Sequence, residues 1–578
     1  MKKIVPLFVA GCVMCGCSSL PAGVPEKEAD QAFTDYLSQY VKVTCENNYM
    51  TLHQFYENPK DAGIDPKDVK VTLGPVSDTD PDTEAMIRLL RQGLEAFDRN
   101  DLDSVQQTIY DDLKWNFDLY DKADKEEYKY LDQIWSEYNS PVNDLVLLFS
   151  EYDLYDEEGV EPLAQLLEDT PRYMDDCFAY TKEQAAAGLL MMDYDAVDEK
   201  CKEVLDHSES DPVRENLHEE IDDLKLSADK TAEYKSRVDE ALDEAFYPAM
   251  ESVPERLAAF KDENREVTGL AGLPAGKEYY ELLLQDAISC DDGPDEVKEN
   301  LEKGVSALSM QAQAIIQKYP EALDNAFDLD TGFDSVDDIL VWLQDNYKKA
   351  WPAVDKMEYE LDPLDPSQSN NGTAAYFMIP PIDGTSKYKI RYNPDFVGED
   401  AGSVSTFQTI AHEGIPGHMY ERQYDREHFE YPVQYMLQFS GFAEGYATYV
   451  EDQMAALLDD SPAMTIYRAN NTLSNYYVGL MDLDVNYYGL SREEFEEKYG
   501  ELFGGGMDQM YDQLAWMPST FLSYYYGGYK LSSMRSAARK ELGDDFSAVD
   551  FNNAVLMSGE TRFEQVEENI ENYVESVK

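Results

Sequence analysis

Two histidines six residues apart, with Pro-Gly between them, constrain this chain more than any other feature. They sit in Ala411-His412-Glu413-Gly414-Ile415-Pro416-Gly417-His418, and the whole chain holds six histidines. Neutral imidazoles ligate divalent metals, and a carboxylate beside the first of them, here Glu413, can take a proton from a coordinated water. In the familiar H-E-x-x-H pattern both rings share one helix face, about 40° apart around the axis. A spacing of six places them about 120° apart on a straight helix. His412 and His418 can therefore share an ion only where the helix bends or bulges. Pro416-Gly417 supplies that break, because proline removes a backbone donor and clashes with the preceding turn while glycine accepts the dihedrals that follow.

Such a site needs a third protein ligand and an open position. Downstream, Phe439-Ser440-Gly441-Phe442-Ala443-Glu444-Gly445-Tyr446-Ala447-Thr448-Tyr449-Val450-Glu451 reads as a buried helix with two carboxylates. Glu444 and Glu451 are seven apart on one face, with Thr448 between them. A carboxylate in an apolar run needs a partner, since burying it alone is costly. Coordination to the ion held by His412 and His418 satisfies Glu444. Glu451 or Thr448 is then placed to orient a ligand from behind.

The paired motifs H-E-x-x-P-G-H and E-G-Y-A-x-Y-x-E resemble the bacterial family catalogued as domain of unknown function 885. That family is similar to the gluzincin metallopeptidases, the group of thermolysin, thimet oligopeptidase and angiotensin-converting enzyme. The resemblance implies His412 and His418 as ligands, Glu413 as general base and Glu444 as third ligand. It implies a mainly α, two-lobed metallopeptidase-like fold. Members often carry a second histidine directly after the first motif, where this chain has Met419, and Trp after E-G, where it has Tyr446. Pro518-Ser519-Thr520-Phe521-Leu522-Ser523-Tyr524-Tyr525-Tyr526-Gly527 resembles the family's P-x-x-x-x-S-Y-x-x-G. By that match Tyr524 is the oxyanion donor, with Tyr525 and Tyr526 as alternatives in a run of three. Where members often show Phe-His, this chain has Phe551-Asn552.

The chain opens Met1-Lys2-Lys3, an apolar run from Ile4 to Met14, then Cys15-Gly16-Cys17-Ser18-Ser19. A short basic start, a short apolar core and small residues make an export signal, too short to span a membrane stably. The cysteine after a small residue resembles the bacterial lipobox, with Cys17 as the lipidated residue and Cys12 as its rival. Residues 1–16 then read as signal peptide and 17–30 as tether. The expectation is an exported, extracytoplasmic protein anchored to the cell membrane by lipid. Four cysteines follow: Cys45, Cys177, Cys201 and Cys290. Export permits disulfides, and a Cys177–Cys201 pair would close a modest loop; free buried thiols are the equal alternative.

A chain of 578 residues, 43% hydrophobic, is long enough for a large core. Its net charge of −70 repels nucleic acid and anionic lipid surfaces and excludes both as partners. From about Glu26 to Lys349 apolar residues recur at three and four, between breaks such as Asn139-Ser140-Pro141 and Asp211-Pro212. Residues 31–350 thus read as a helical N-terminal lobe and 351–578 as the catalytic lobe. Tyr279 and Tyr280, in a stretch that resembles the family's N-terminal half, read as core, with cleft residues as the alternative.

After Trp351 the texture changes. Ala375 to Gly384 is apolar and ends in a turn, and Tyr388-Lys389-Ile390-Arg391-Tyr392-Asn393 alternates before Pro394. This reads as a small antiparallel sheet just before the metal helix. Gluzincins hold an extended peptide along an edge strand, which makes Tyr388 and Ile390 substrate-binding candidates; a sheet that only braces the cleft is the alternative. Ser403 or Ser405 caps the helix entering the motif. Lys530 and Arg535 are candidates for a substrate carboxylate.

These readings converge on a zinc-dependent hydrolase, with manganese or cobalt as substitutes, acting on a peptide or small amide. The peptide bond rests on the family resemblance. Two rivals stand: a metal-dependent hydrolase of non-peptide amides or esters, and a non-catalytic peptide-binding lipoprotein.

Overall fold

The computed structural model describes residues 26–76, 81–206, 211–364, 374–384, 387–398 and 401–578. The export segment, with Cys12 and Cys17, lies outside them. Helix α1 (Glu26–Asn47) begins inside the stretch read as tether. The helical periodicity of the N-terminal half becomes helices whose apolar faces are buried. In α2 (Pro81–Leu94), Met86, Ile87, Leu90 and Leu94 point inward. In α3 (Pro141–Ser150), Val142, Leu145, Val146 and Phe149 do the same, and the Ser140 side chain caps the helix by accepting from the Asn143 N–H.

One apolar core runs without interruption from Phe33 to Val574, across residue 350. Two helices from the first segment, α4 (Gly276–Ile288) and α5 (Pro294–Lys318), help carry the second. The α4 helix packs against α9 (Ser440–Leu458) and α11 (Thr520–Leu542), and α5 packs against α10 (Pro462–Leu483). Tyr279 and Tyr280 are buried on α4, where their hydroxyls donate to Asp132 and Asp482. Helix α6 (Val336–Asn346) backs α7 (Val404–Glu413), which leads into the histidine motif, and α8 (His418–His428) follows it.

The sheet departs from the expected antiparallel pair. Strands β1 (Tyr359–Pro363), β2 (Ala375–Met378) and β3 (Tyr388–Tyr392) are ordered β1-β3-β2. Strand β3 pairs parallel with β1 and antiparallel with β2, so the sheet is mixed. The acidic, Pro-terminated segment of β1 carries no strand pattern of its own; its backbone pairing to β3 makes it a strand. Tyr388 and Ile390 therefore lie on the central strand, not on an edge.

Cys45, Cys177, Cys201 and Cys290 are all free and buried, so Cys177 and Cys201 form no disulfide. No helix among the described residues is long and apolar enough to cross a membrane.

Candidate metal centre

Helix α7 is capped at its start by Ser403, whose hydroxyl accepts from the Thr406 N–H at 3.0 Å. Phe407, Ile410 and Ala411 are fully buried, and this face sets His412 in the last turn. The helix then ends at Glu413. The sequence suggested one bent helix through the motif; instead the chain leaves α7, turns through Gly414 and a cis Ile415–Pro416 bond, and starts a second helix at His418. Gly417 closes this turn against α7. A Cβ there would lie 1.7 Å from the His412 carbonyl oxygen, so no larger residue fits. The turn brings the two imidazoles within 4.9 Å, edge to face at 81°.

Glu444 arrives from α9. Its Oε2 lies 3.4 Å from Nε2 of His412 and 3.4 Å from Nε2 of His418. That oxygen is buried and has no hydrogen-bond partner. One ligand atom from each residue, all within 4.8 Å of one another, makes a two-nitrogen, one-oxygen donor set. These residues fit a divalent metal such as zinc, which favours such a set with a position left open. The far sides of both rings face carboxylates: Glu451 Oε1 is 2.7 Å from His412 Nδ1, and Glu421 Oε2 is 3.7 Å from His418 Nδ1. Carboxylates behind the rings favour the tautomers whose Nε2 lone pairs face the centre.

The electrostatics suit a cation. Burial alone would push the His412 imidazole down, but the neighbouring Glu444 and Glu451 carboxylates and the charge of Glu413 carry it up to about 10. His418 is also raised, against burial, by Glu421 and Glu444. Glu444 is held well below the usual carboxylate range: burial opposes this, and both imidazoles override it. The surrounding carboxylates thus favour positive charge at this point, from bound protons or from a metal ion.

Glu413 is buried, and burial raises its carboxyl, partly offset by the two histidines. Its Oε2 accepts the Phe377 backbone N–H at 2.8 Å. Its other oxygen, Oε1, is 3.9 Å from His412 Nε2. The Tyr524 ring stacks on His412 with centroids 6.1 Å apart, and its hydroxyl lies beside Glu444. Burial, then the charges of Glu444 and Glu413, raise its phenol well above the ordinary value, so it stays a neutral donor. Its neighbours point elsewhere: Tyr525 stacks on Phe521, and the Tyr526 hydroxyl donates to Asp292.

Helices α9 and α11 cross where their backbones touch. A Cβ on Gly445 would lie 2.5 Å from the Gly527 backbone, and one on Gly527 would lie 2.1 Å from the Gly441 carbonyl oxygen. This contact sets Glu444 against Tyr524. Thr448 faces the same crossing, packed against Gly528, and makes no hydrogen bond to the ligands.

Four further sequence candidates contact structural neighbours, and Ile390 borders the ligand turn, where a Cβ on Gly414 would lie 3.5 Å from its Cδ1. Lys530 pairs with Asp292 at 3.2 Å. Arg535 donates to Gln453 at 2.8 Å and covers the Phe546 ring. Ile390 is fully buried, and Tyr388 is buried with its hydroxyl donating to Gln423. Lys530 and Tyr388 thus have protein partners for their polar ends, while Arg535 keeps one buried nitrogen, Nη1, without a partner among the described residues. Asn552, at the place where members of the resembled family often show a histidine, accepts the Tyr449 hydroxyl and donates to the Ala350 carbonyl.

The sequence reading missed Glu421 and the Phe377 N–H. Glu421 carries a signal, an acidic residue three after His418 on a helix. A backbone donor from a strand 36 residues upstream carries none.

The chain superimposes on a solved structure described as "the putative lipoprotein from Colwellia psychrerythraea" with a TM-score of 0.77 at 15% identity, covering 96% of this chain and 100% of that one. It also matches "a putative lipoprotein of unknown function from Shewanella oneidensis" with a TM-score of 0.59 at 15% identity, covering 94% and 99%. At this identity the likeness concerns the fold. No curated protein matches the sequence. The family described as bacterial protein of unknown function (DUF885) matches residues 62–570, nearly the whole length on which the centre is built, and the chain belongs to that family.

Proposed function

We propose that this protein is a zinc-dependent hydrolase of the gluzincin kind, cleaving peptide bonds, and that it is exported and held to the membrane by a lipid on Cys17. One observation carries the catalytic reading. The Nε2 atoms of His412 and His418 both face a buried, otherwise unpartnered Glu444 oxygen, with Glu413 and Tyr524 beside them. The two-lobed, metallopeptidase-like reading of the fold belongs to the same proposal. The anchoring reading is supported by the basic, apolar and cysteine-ended start of the chain and by two solved relatives described as putative lipoproteins.

A zinc ion bound there supplies a Lewis acid for the carbonyl and lowers the pKa of water at its open position. The chain's own residues do the rest. Glu413, oriented by the Phe377 N–H, takes the proton of the attacking water and passes it to the leaving amine. Tyr524, kept neutral, donates to the oxygen on which charge develops. Glu451 and Glu421 hold the imidazoles in place. The outer edge of β2, whose Phe377 N–H faces Glu413, offers backbone groups to an extended peptide.

Metal analysis of the signal-free protein tests the centre. About one zinc per chain is expected, lost or sharply weakened in Glu444→Ala. A peptide-library screen then tests the reaction, with Glu413→Gln expected to keep zinc and lose turnover by about 10²–10⁴-fold. No zinc after supplementation would overturn the metal reading. Zinc without peptide cleavage, but with turnover of non-peptide amides or esters, would reassign the substrate. Peptide binding without any turnover would make the protein a binding lipoprotein.

A further inference from the structure

We infer that Tyr446 is a positioning residue for the metal centre, acting through the turn that separates the two histidine ligands; this rests on the metal reading above. Tyr446 is fully buried on α9, two residues after Glu444. Its hydroxyl donates to the Pro416 carbonyl at 2.8 Å. Pro416 is itself buried and has no N–H, so its carbonyl is the only backbone group it offers to hold the turn. A buried carbonyl needs a partner, and this one finds it on a side chain thirty residues away.

The consequence is mechanical. Three ligands come from three separate helices: His412 ends α7, His418 begins α8 and Glu444 rides on α9. The turn's own bonds, Gly417 N–H to the Ala411 carbonyl and Tyr420 N–H to the Gly414 carbonyl, tie α7 to α8. They do nothing to fix either helix relative to Glu444. The Tyr446 hydroxyl supplies such a link at the turn itself, because it fastens the residue just before Gly417-His418 to the helix that carries Glu444. Without it the turn can shift by the few tenths of an ångström that metal geometry registers. Glu451, on the same helix, fixes His412 from its other side. A single helix thereby supplies one ligand and sets the position of the other two.

The test compares Tyr446→Phe with Tyr449→Phe in the full signal-free chain. Tyr449 makes a matched control: it is on α9, buried, and donates a 2.8 Å hydrogen bond, but to Asn552 and not to the ligand turn. Each variant keeps its ring and loses one buried hydroxyl. Zinc affinity is measured by competition with a chromophoric chelator, and the cobalt-substituted absorption spectrum reports the ligand geometry. Tyr446→Phe is expected to weaken zinc by about 10-fold or more and to alter the cobalt spectrum. Tyr449→Phe is expected to lower thermal stability while leaving both metal readouts at the parent value. Equal zinc affinity in parent and Tyr446→Phe would overturn the inference, as would equal losses in the two variants. Absence of zinc binding by the parent would overturn the metal centre and this role together. Because the readout is affinity, a failure of the peptidase reading alone leaves the result standing.

Discussion

Glu451 Oε1 lies 2.7 Å from His412 Nδ1, two helical turns beyond Glu444, which meets Nε2 of the same ring. One face of one helix thus grips both nitrogens of a single imidazole. The Nδ1–H donated to Glu451 leaves the other nitrogen with its lone pair toward the centre. Glu451→Gln keeps the size but loses the charge. Zinc affinity is expected to fall by about 10–100-fold, measured by chelator competition, with the fold intact by circular dichroism.

The three tyrosines of α11 are expected to separate cleanly. Only Tyr524 lies against His412 and Glu444. On the proposed hydrolase reading, in which its hydrogen bond forms in the transition state, Tyr524→Phe should lower kcat by about 10²–10³-fold with little change in KM. Tyr525→Phe should stay within a few-fold of the parent. Tyr526→Phe should lose stability, because its hydroxyl is held by Asp292 and Asn300. Steady-state kinetics on a peptide cleaved by the parent, with thermal melts alongside, checks all three.

Gly445→Ala places a methyl carbon 2.5 Å from the Gly527 backbone, where neither helix can yield by rotating a side chain. The expected cost is about 1–3 kcal/mol of stability by denaturant unfolding. Any relief must come from spreading α9 and α11, which carries Tyr524 away from Glu444. Activity should therefore fall further than stability alone accounts for.

His53 offers a pH test remote from the metal. It is stacked between Tyr152 at 4.4 Å and Tyr155 at 4.7 Å, and burial lowers its imidazole to about 4 although Asp153 opposes the shift. Between pH 6.5 and 4 the unfolded chain takes up a proton that the folded chain refuses, so stability is lost as pH falls through this window. His53→Phe keeps the ring stack and removes the titration. The parent should lose about 2 kcal/mol more than the variant between pH 7 and pH 5, read from denaturation midpoints and slopes.

The sequence by itself determined what depends on side-chain chemistry and short-range spacing. The scarcity of histidine singled out His412 and His418, the rarity of a carboxylate in an apolar helix singled out Glu444, and apolar residues at three and four placed helices such as α3. The Pro416-Gly417 break was legible too, but its form was not. A kinked helix and two helices joined by a tight turn share the same local pattern, and the choice falls to contacts such as Tyr446 with Pro416. Among three consecutive tyrosines the family resemblance put Tyr524 first but left Tyr525 and Tyr526 open, and the crossing of α11 over α9 is what lays Tyr524 against His412. Tertiary structure alone put β3 in the middle of a mixed sheet, tied Lys530 to Asp292 from 238 residues away, and turned the Phe377 N–H toward Glu413. Each of these is a pairing between groups far apart in the chain, and a buried polar group takes whichever partner the packing brings within reach.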